Sequence, residues 1–291
     1  MFDKVEGVFP AKATLGEGPH WDHDNHHLYW VDILEKKLHL FDPQQNQNHS
    51  VQFDQYIGAV VRSKSGQLLL AMENGIYQYD LQSQKLTFIT NPEKNLSGNR
   101  FNDGKCDPAG RFWAGTMSLD ETEGQGSLYR LDPSGESKKI LSPVTISNGL
   151  AWSPDHSFMY YIDTPTSEVK MYQYDEKSGD IRFLKTSVSI PRSSGYPDGM
   201  TIDSDGMIWV AHWGGARVTR WDPQSGIQLD EISIPAKNVT SCTFGGANLD
   251  ELYITTARIG MDEEELSHYP QSGNLFRVRT KAKGIPAYLY G

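Results

Sequence analysis

Short apolar runs recur along the chain at intervals of 40 to 49 residues. They are rich in the β-branched and aromatic residues that favour strands, and turn-forming residues precede each run. The runs begin at Leu28, Leu68, Phe112, Met159, Ile208 and Leu252. Most are followed by a second strand-like segment that ends in another turn. Six copies of a strand-turn-strand-strand-turn unit at this period predict an all-β fold, a six-bladed β-propeller.

The phase of the repeats also predicts how the ring closes. It leaves residues 2–9 as a spare strand, which would complete the last blade beside residues 274–278 and make residues 1–291 a single propeller domain. Residues 285–290 would then lie near the beginning of the chain. A β-sandwich would not repeat one aromatic-Asp-Pro phrase, and the sequence lacks the long amphipathic segments of an α/β fold. The acidic stretch 261–268 is predicted to form a short surface helix.

Composition and charge narrow the partners. The formal net charge is −10, which argues against nucleic acid and anionic membrane surfaces and leaves room for a cation. The first thirty residues contain no apolar run flanked by basic residues, so neither secretion nor membrane insertion is indicated, and we expect a cytoplasmic protein. The two cysteines, Cys106 and Cys242, cannot form a disulfide framework. We expect both to be small buried hydrophobic residues.

Four polar residues occupy matching places in four of the repeats. Glu17, Asn102, Asn148 and Asp198 each lie ten or eleven residues before an apolar run, and each is beside or close to a glycine. The start of the innermost strand of a propeller blade faces the central channel, so these side chains are expected to converge there. A single Asn-Gly or Asp-Gly pair is usually a plain turn. Four in register indicate a site for a divalent cation with oxygen ligands.

Several longer phrases carry a resemblance to a known family. They read L-G-E-G-P-H-W at 15–21, N-R-F-N-D-G-K at 99–105, D-P-A-G-R-F-W-A-G-T-M at 107–117, I-S-N-G-L-A-W-S at 146–153, P-D-G-M-T-I-D at 197–203 and S-C-T-F-G-G at 241–246. With these phrases the chain resembles the gluconolactonase and regucalcin-like family, which also includes luciferin-regenerating enzymes. The resemblance implies a metal-dependent six-bladed propeller that hydrolyses sugar lactones.

The resemblance also implies roles for individual residues. The metal ligands would be Glu17, Asn148 and Asp198, and the cofactor one divalent ion, with Ca, Zn, Mn, Mg and Fe all open. Arg100 and Asn102 would contact the substrate. The family has a further glutamate contact shortly after G-T-M, which either Asp120 or Glu121 matches here. His212 falls near the channel end of a strand, where it either lines the substrate pocket or serves the fold.

The resemblance, together with these residues, implies a hydrolase that opens aldono-lactones to aldonic acids. Asp198 is the candidate catalytic base, since a carboxylate at the metal can accept a proton from the attacking water. The chain lacks G-x-S-x-G, so a serine nucleophile is not expected. The expected partner is a small sugar lactone, with monomer and dimer both open. Two alternatives remain, a broader esterase or organophosphate hydrolase and a non-catalytic calcium-binding propeller.

Overall fold

The computed structural model describes residues 2–291 and confirms the predicted six-bladed β-propeller. Its strands form six four-stranded antiparallel sheets. In chain order the strands are β1 (Glu6–Phe9), β2 (Gly16–Asp22), β3 (His27–Asp32), β4 (Lys37–Asp42), β5 (Gln47–Gln52), β6 (Ile57–Arg62), β7 (Leu68–Met72), β8 (Gly75–Asp80), β9 (Lys85–Thr90), β10 (Asn99–Cys106), β11 (Phe112–Ser118), β12 (Gly126–Leu131), β13 (Ser137–Val144), β14 (Ser147–Trp152), β15 (Phe158–Asp163), β16 (Glu168–Tyr174), β17 (Ile181–Ser189), β18 (Tyr196–Ile202), β19 (Ile208–Trp213), β20 (Arg217–Asp222), β21 (Ile227–Ser233), β22 (Asn238–Gly245), β23 (Glu251–Ala257) and β24 (Leu275–Arg279).

Five blades are each four consecutive strands, and the sixth consists of β22, β23, β24 and β1. The innermost strand of each blade is the first of its consecutive strands. Strands β2, β6, β10, β14, β18 and β22 contact one another in turn around the ring. The apolar runs of the sequence are the second strands of their blades. Each blade has one strand more than the predicted unit. The fourth strand was not predicted because the outer strands lack an apolar pattern and are largely exposed, namely β5, β9, β13, β17 and β21. Solvent contact removes the signal that burial imposes on the other three strands.

The two ends of the chain follow different paths. Strand β1 pairs antiparallel with β24 on the outer edge of blade 6, with Glu6 opposite Arg277. The prediction that residues 285–290 lie near the beginning is wrong. After Gly284 donates its N–H to the Leu249 carbonyl (2.7 Å), the chain crosses the ring end where the second strands begin. Tyr290 then donates its N–H to the Arg62 carbonyl in blade 2 (3.0 Å).

Aspartates fix the turns between the first and second strands in two blades. The Asp107 carboxylate accepts hydrogen bonds from the Arg111 backbone N–H (2.9 Å) and from the indole Nε1 of Trp113 (2.8 Å). Asp203 likewise accepts from the indole of Trp209 (3.0 Å). In each of these two blades, one aspartate carboxylate thus closes the turn and orients a tryptophan that packs between blades.

The core lies between neighbouring blades. Cys106 and Cys242 are both buried and unbridged, as expected.

The acidic stretch contains the helix α1 (Glu263–His268), which begins with a capping box at Asp262. No helix within residues 2–291 is long and apolar enough to span a membrane. The tryptophans that follow the blade pattern are all buried, namely Trp21, Trp113, Trp152, Trp209 and Trp221.

Candidate functional site

Two carboxyl groups from different blades meet at one end of the channel. Glu17 comes from β2 in blade 1 and Asp198 from β18 in blade 5, and their carboxyl groups are close enough to share a hydrogen bond. Burial, followed by the charge of Asp103, raises the pKa of Glu17 to about 8. Burial and then the charge of Glu17 hold the pKa of Asp198 well above its usual range. The pair is therefore costly to ionise unless a positive charge lies between them.

β-Bulges aim the candidate ligands. The pairing register shifts between Glu17 and His20, between Asn148 and Leu150, and between Pro197 and Met200. A bulge bends the strand and redirects a side chain, so each candidate ligand points differently from a regular strand residue. The dipeptides that resemble plain turns in the sequence are thus irregular starts of innermost strands.

Glycines beside the ligands let the innermost strands approach closely. A Cβ placed on Gly149 would lie 2.9 Å from the carbonyl oxygen of Asp198. A Cβ on Gly199 would lie 2.1 Å from the Ser241 hydroxyl oxygen. No side chain fits at either distance, so glycine is required for blades 4, 5 and 6 to meet here.

A repeated aspartate fixes the chain just before two of the ligands. Asp32, at the end of β3, accepts hydrogen bonds from the backbone N–H groups of Thr14 (2.9 Å) and Leu15 (3.0 Å). Asp163, at the end of β15, accepts from the N–H of Ile146 (2.9 Å). Each aspartate therefore anchors the segment that enters the ligand-bearing strand of its own blade.

The Asn102 amide joins the candidate ligand Asn148 to the Arg100 guanidinium group through hydrogen bonds. Asn102 donates from Nδ2 to the Asn148 Oδ1 (3.1 Å) and to the Ser147 carbonyl (2.8 Å). Arg100 donates from Nη1 to the Asn102 Oδ1 (2.6 Å). Both amide hydrogens of Asn102 are thus used within the protein, which leaves only its Oδ1 with a further lone pair. Burial lowers the pKa of Arg100 to about 10, with the charge of Glu17 opposing the shift.

The structure distinguishes the two acidic candidates that follow G-T-M. Glu121 is close enough for its charge to raise the pKa of Arg100, and the Tyr56 hydroxyl acts in the same direction. Its backbone has a φ of 53° and closes a tight turn, in which its N–H donates to the Ser118 carbonyl (3.0 Å). Both side chains are exposed, but Asp120 is not among the charges that act most strongly on Arg100. Glu121 is therefore the better placed of the two for a substrate.

His212 is used by the fold. Its Nδ1 lies 3.0 Å from the Ser194 carbonyl oxygen and its Nε2 lies 2.6 Å from the Thr219 hydroxyl oxygen. The side chain is buried, and burial lowers its pKa to about 4. Because both ring nitrogens have partners, no nitrogen is left to bind a substrate, contrary to the first of the two roles predicted for it.

Three residues of the site had no role assigned from sequence. Thr164 accepts a hydrogen bond from the Asn148 Nδ2 (2.8 Å), and Lys105 donates from Nζ to the Met200 carbonyl (2.7 Å). Asp103 is buried, and its charge raises the pKa of both Glu17 and Asp198. Asp103 and Lys105 belong to the phrase at 99–105, whereas Thr164 lies outside every motif.

The donor set fits a cation that prefers oxygen. Within residues 2–291, no three His, Cys, Asp or Glu side chains come together as a metal site. The candidate site instead has two carboxylates, and the Asn148 amide oxygen would be the third ligand of a bound cation. A cation between Glu17 and Asp198 would offset the repulsion that raises their pKa values. Carboxylate and amide oxygens suit hard divalent ions.

Comparisons with known proteins agree with this architecture. The SMP-30/Gluconolactonase/LRE-like region matches residues 15–258. The YvrE protein of Bacillus subtilis, provisionally named a sugar lactone lactonase, is 45% identical over 274 residues, which is 94% of each chain. A luciferin-regenerating enzyme superposes with a TM-score of 0.93 at 35% identity, covering 99% of both chains. A calcium-binding protein of Agrobacterium tumefaciens, regucalcin, superposes with a TM-score of 0.95 at 28% identity, covering 100% of this chain and 98% of its own. The chain therefore belongs to the SMP-30/gluconolactonase/LRE-like family.

Proposed function

We propose that this protein is a cation-dependent lactonase that opens sugar lactones to aldonic acids. The observation that carries the proposal is the meeting of the Glu17 and Asp198 carboxyl groups, from blades 1 and 5, beside the Arg100 guanidinium. A buried acidic pair next to a buried cationic hydrogen-bond donor is costly for the fold and is typical of a site that binds and activates a ligand. Membership of a gluconolactonase-like family supports the reaction class.

The cation ligands would be Glu17, Asn148 and Asp198. When bound, a divalent ion supplies Lewis acidity toward a carbonyl oxygen and makes neighbouring water more acidic. The all-oxygen donor set favours calcium, magnesium or manganese over softer ions. The calcium-binding description of the Agrobacterium relative supports calcium as the first ion to test.

The protein side chains move the proton and orient the ring. Asp198 is the general base, and a carboxylate oxygen accepts a proton from the water that attacks the lactone carbonyl carbon. Arg100 uses Nη1 for the Phe101 carbonyl (3.0 Å) and for Asn102, so its Nε and Nη2 are the donors that would bind a ligand. These donors and the Glu121 carboxylate would bind ring hydroxyls and fix the carbonyl in place.

Lactone hydrolysis releases acid, so a pH-indicator assay on a panel of five- and six-membered aldono-lactones tests the proposal. The protein is stripped with EDTA and each of Ca²⁺, Zn²⁺, Mn²⁺, Mg²⁺ and Fe²⁺ is restored in turn. We expect activity to disappear with EDTA and to return with an oxygen-preferring ion. Asp198→Asn should lower kcat by roughly 10²–10³-fold, the usual loss when a transition-state contact is removed.

Asp120→Asn is the matched control, because it removes an exposed carboxylate from the same end of the ring. It should keep wild-type kcat. Full activity of Asp198→Asn would refute the assigned base. Tight cation binding with no hydrolysis of any lactone would favour a non-catalytic calcium-binding propeller instead.

A further inference from the structure

The bulge that carries Asp198 is held at both ends by side chains from other blades. Thr164 of blade 4 donates from its hydroxyl to the Pro197 carbonyl (2.8 Å), and Lys105 of blade 3 donates from Nζ to the Met200 carbonyl (2.7 Å). These carbonyls come one residue before and two residues after Asp198. The register of β18 against β19 shifts between the same two residues. Regular sheet pairing therefore does not fix this stretch, and the two side chains do.

Thr164 also orients a second ligand. Its hydroxyl has a single hydrogen, which it donates to the Pro197 carbonyl, so toward the Asn148 Nδ2 (2.8 Å) it can only accept. This arrangement places the amide nitrogen of Asn148 on Thr164. It leaves Oδ1 on the opposite side, where Asn102 donates to it. One hydroxyl thus fixes both the amide orientation of Asn148 and the backbone beside Asp198.

Lys105 makes an unusual link across the ring. Its bond to the Met200 carbonyl joins two non-adjacent blades, since blade 4 lies between blades 3 and 5. Burial lowers the pKa of Lys105, with Asp103 opposing the shift. A charged donor bonded to a carbonyl is stronger than a neutral one, so the link resists displacement of β18.

We propose that Thr164 and Lys105 are positioning residues of the cation site, which fix the Asp198 bulge and, through Thr164, the Asn148 amide. The inference rests on the proposed function only in taking Glu17, Asn148 and Asp198 as the cation ligands. Neither residue needs to touch the substrate or the ion. Residues that orient ligands in this way commonly contribute 10–100-fold to metal affinity or activity.

Thr164→Val and Thr164→Ser form the matched pair, because valine keeps the shape and removes both hydrogen bonds, whereas serine keeps them. Affinity for Ca²⁺ and for Mn²⁺ is measured by titration calorimetry on the EDTA-stripped full chain. We expect Thr164→Val to bind about 10–100-fold more weakly. Thr164→Ser should stay within about threefold of wild type. A merely structural role would lower the unfolding temperature in EDTA without changing the affinity of the folded protein.

For Lys105→Met, a pure charge effect and loss of the link to Met200 predict changes of opposite sign in cation affinity. Removing a positive charge near a cation site raises cation affinity if the charge alone matters. Loss of the link to Met200 should instead lower affinity, by about tenfold. Lys105→Leu, which also lacks both the charge and a donor, replaces Lys105→Met if that variant does not fold. Lys105→Gln, which keeps a donor without the charge, should bind more tightly than either of them. Increased affinity relative to wild type in Lys105→Met or Lys105→Leu would overturn the positioning role of Lys105.

The outcomes separate this inference from the lactonase proposal. A wild-type protein that binds the ion but hydrolyses no lactone would refute the proposed function and leave the affinity comparison intact. Wild-type affinity in Thr164→Val would overturn the role of Thr164, whatever the activity. A wild-type protein that binds neither ion would overturn both.

Discussion

Glu17 should make the cation-free protein less stable as the pH rises. Its pKa is about 8 in the folded protein, against an ordinary value of 4.5. Between these values the folded state holds a proton that the unfolded state has released, so raising the pH favours unfolding. For this one group, the free energy of unfolding should fall by about 1.5 kcal/mol between pH 6.5 and pH 8. Asp198, whose pKa is also raised, adds to the effect with the same sign.

The assay is urea unfolding in EDTA at several pH values from 6.5 to 8, with Glu17→Gln as the comparison. The lower limit avoids His20, His39 and His212, whose pKa values are lowered to about 4 by burial. These groups destabilise the fold as the pH falls below 6.5, which is the opposite sign. Glu17→Gln should flatten the slope, and saturating cation should remove it. An equal slope in wild type and variant, or stability that rises with pH, would refute the reasoning.

Three further substitutions have outcomes fixed by single contacts. Arg100→Ala should raise KM for the best lactone at least about tenfold, with a smaller change in cation affinity by calorimetry, because Arg100 is proposed to bind the substrate rather than the ion. His212→Ala should lower the free energy of unfolding by about 1–3 kcal/mol in urea, since the buried Thr219 hydroxyl keeps the Trp221 indole as a donor but loses the His212 ring as a partner, while kcat of the folded protein is kept. Gly149→Ala should weaken cation binding by calorimetry, because its Cβ would lie 2.9 Å from the Asp198 carbonyl oxygen; unchanged affinity would contradict the close-approach argument.

Much of the candidate site was accessible from the sequence because it repeats. Glu17, Asn148 and Asp198 sit at equivalent places in different blades, so alignment of the repeats was enough to group them. The same alignment grouped Asn102 with them, whereas Arg100 and the substrate-contact roles came from a family phrase. The bonds to Asn148 and Ser147 use both amide hydrogens of Asn102, and the bond from Arg100 leaves its Oδ1 one further lone pair. That limit could not be inferred from the phrase.

Other assignments depended on geometry that has no linear signal. Asp120 and Glu121 are adjacent acidic residues that the sequence does not distinguish, and only in the folded chain does Glu121, in a tight turn, act by its charge on Arg100. His212 lies at the predicted end of its strand, yet its ring bonds to Ser194 and to Thr219 within blade 5. Near the channel, strand position alone does not distinguish a ligand-facing side chain from one that serves the fold.

The sequence by itself determined the six-bladed ring, because every blade buries its inner strands and so repeats the same period of apolar and turn-forming residues. It also determined which residue types meet at the channel, because equivalent positions in a ring converge. Only the tertiary structure decided how those groups are held. The links from Thr164 and Lys105 to the Asp198 bulge join residues 33 and 95 positions apart in the chain, and hydrogen bonds between blades depend on the distance between strands, which no local pattern encodes.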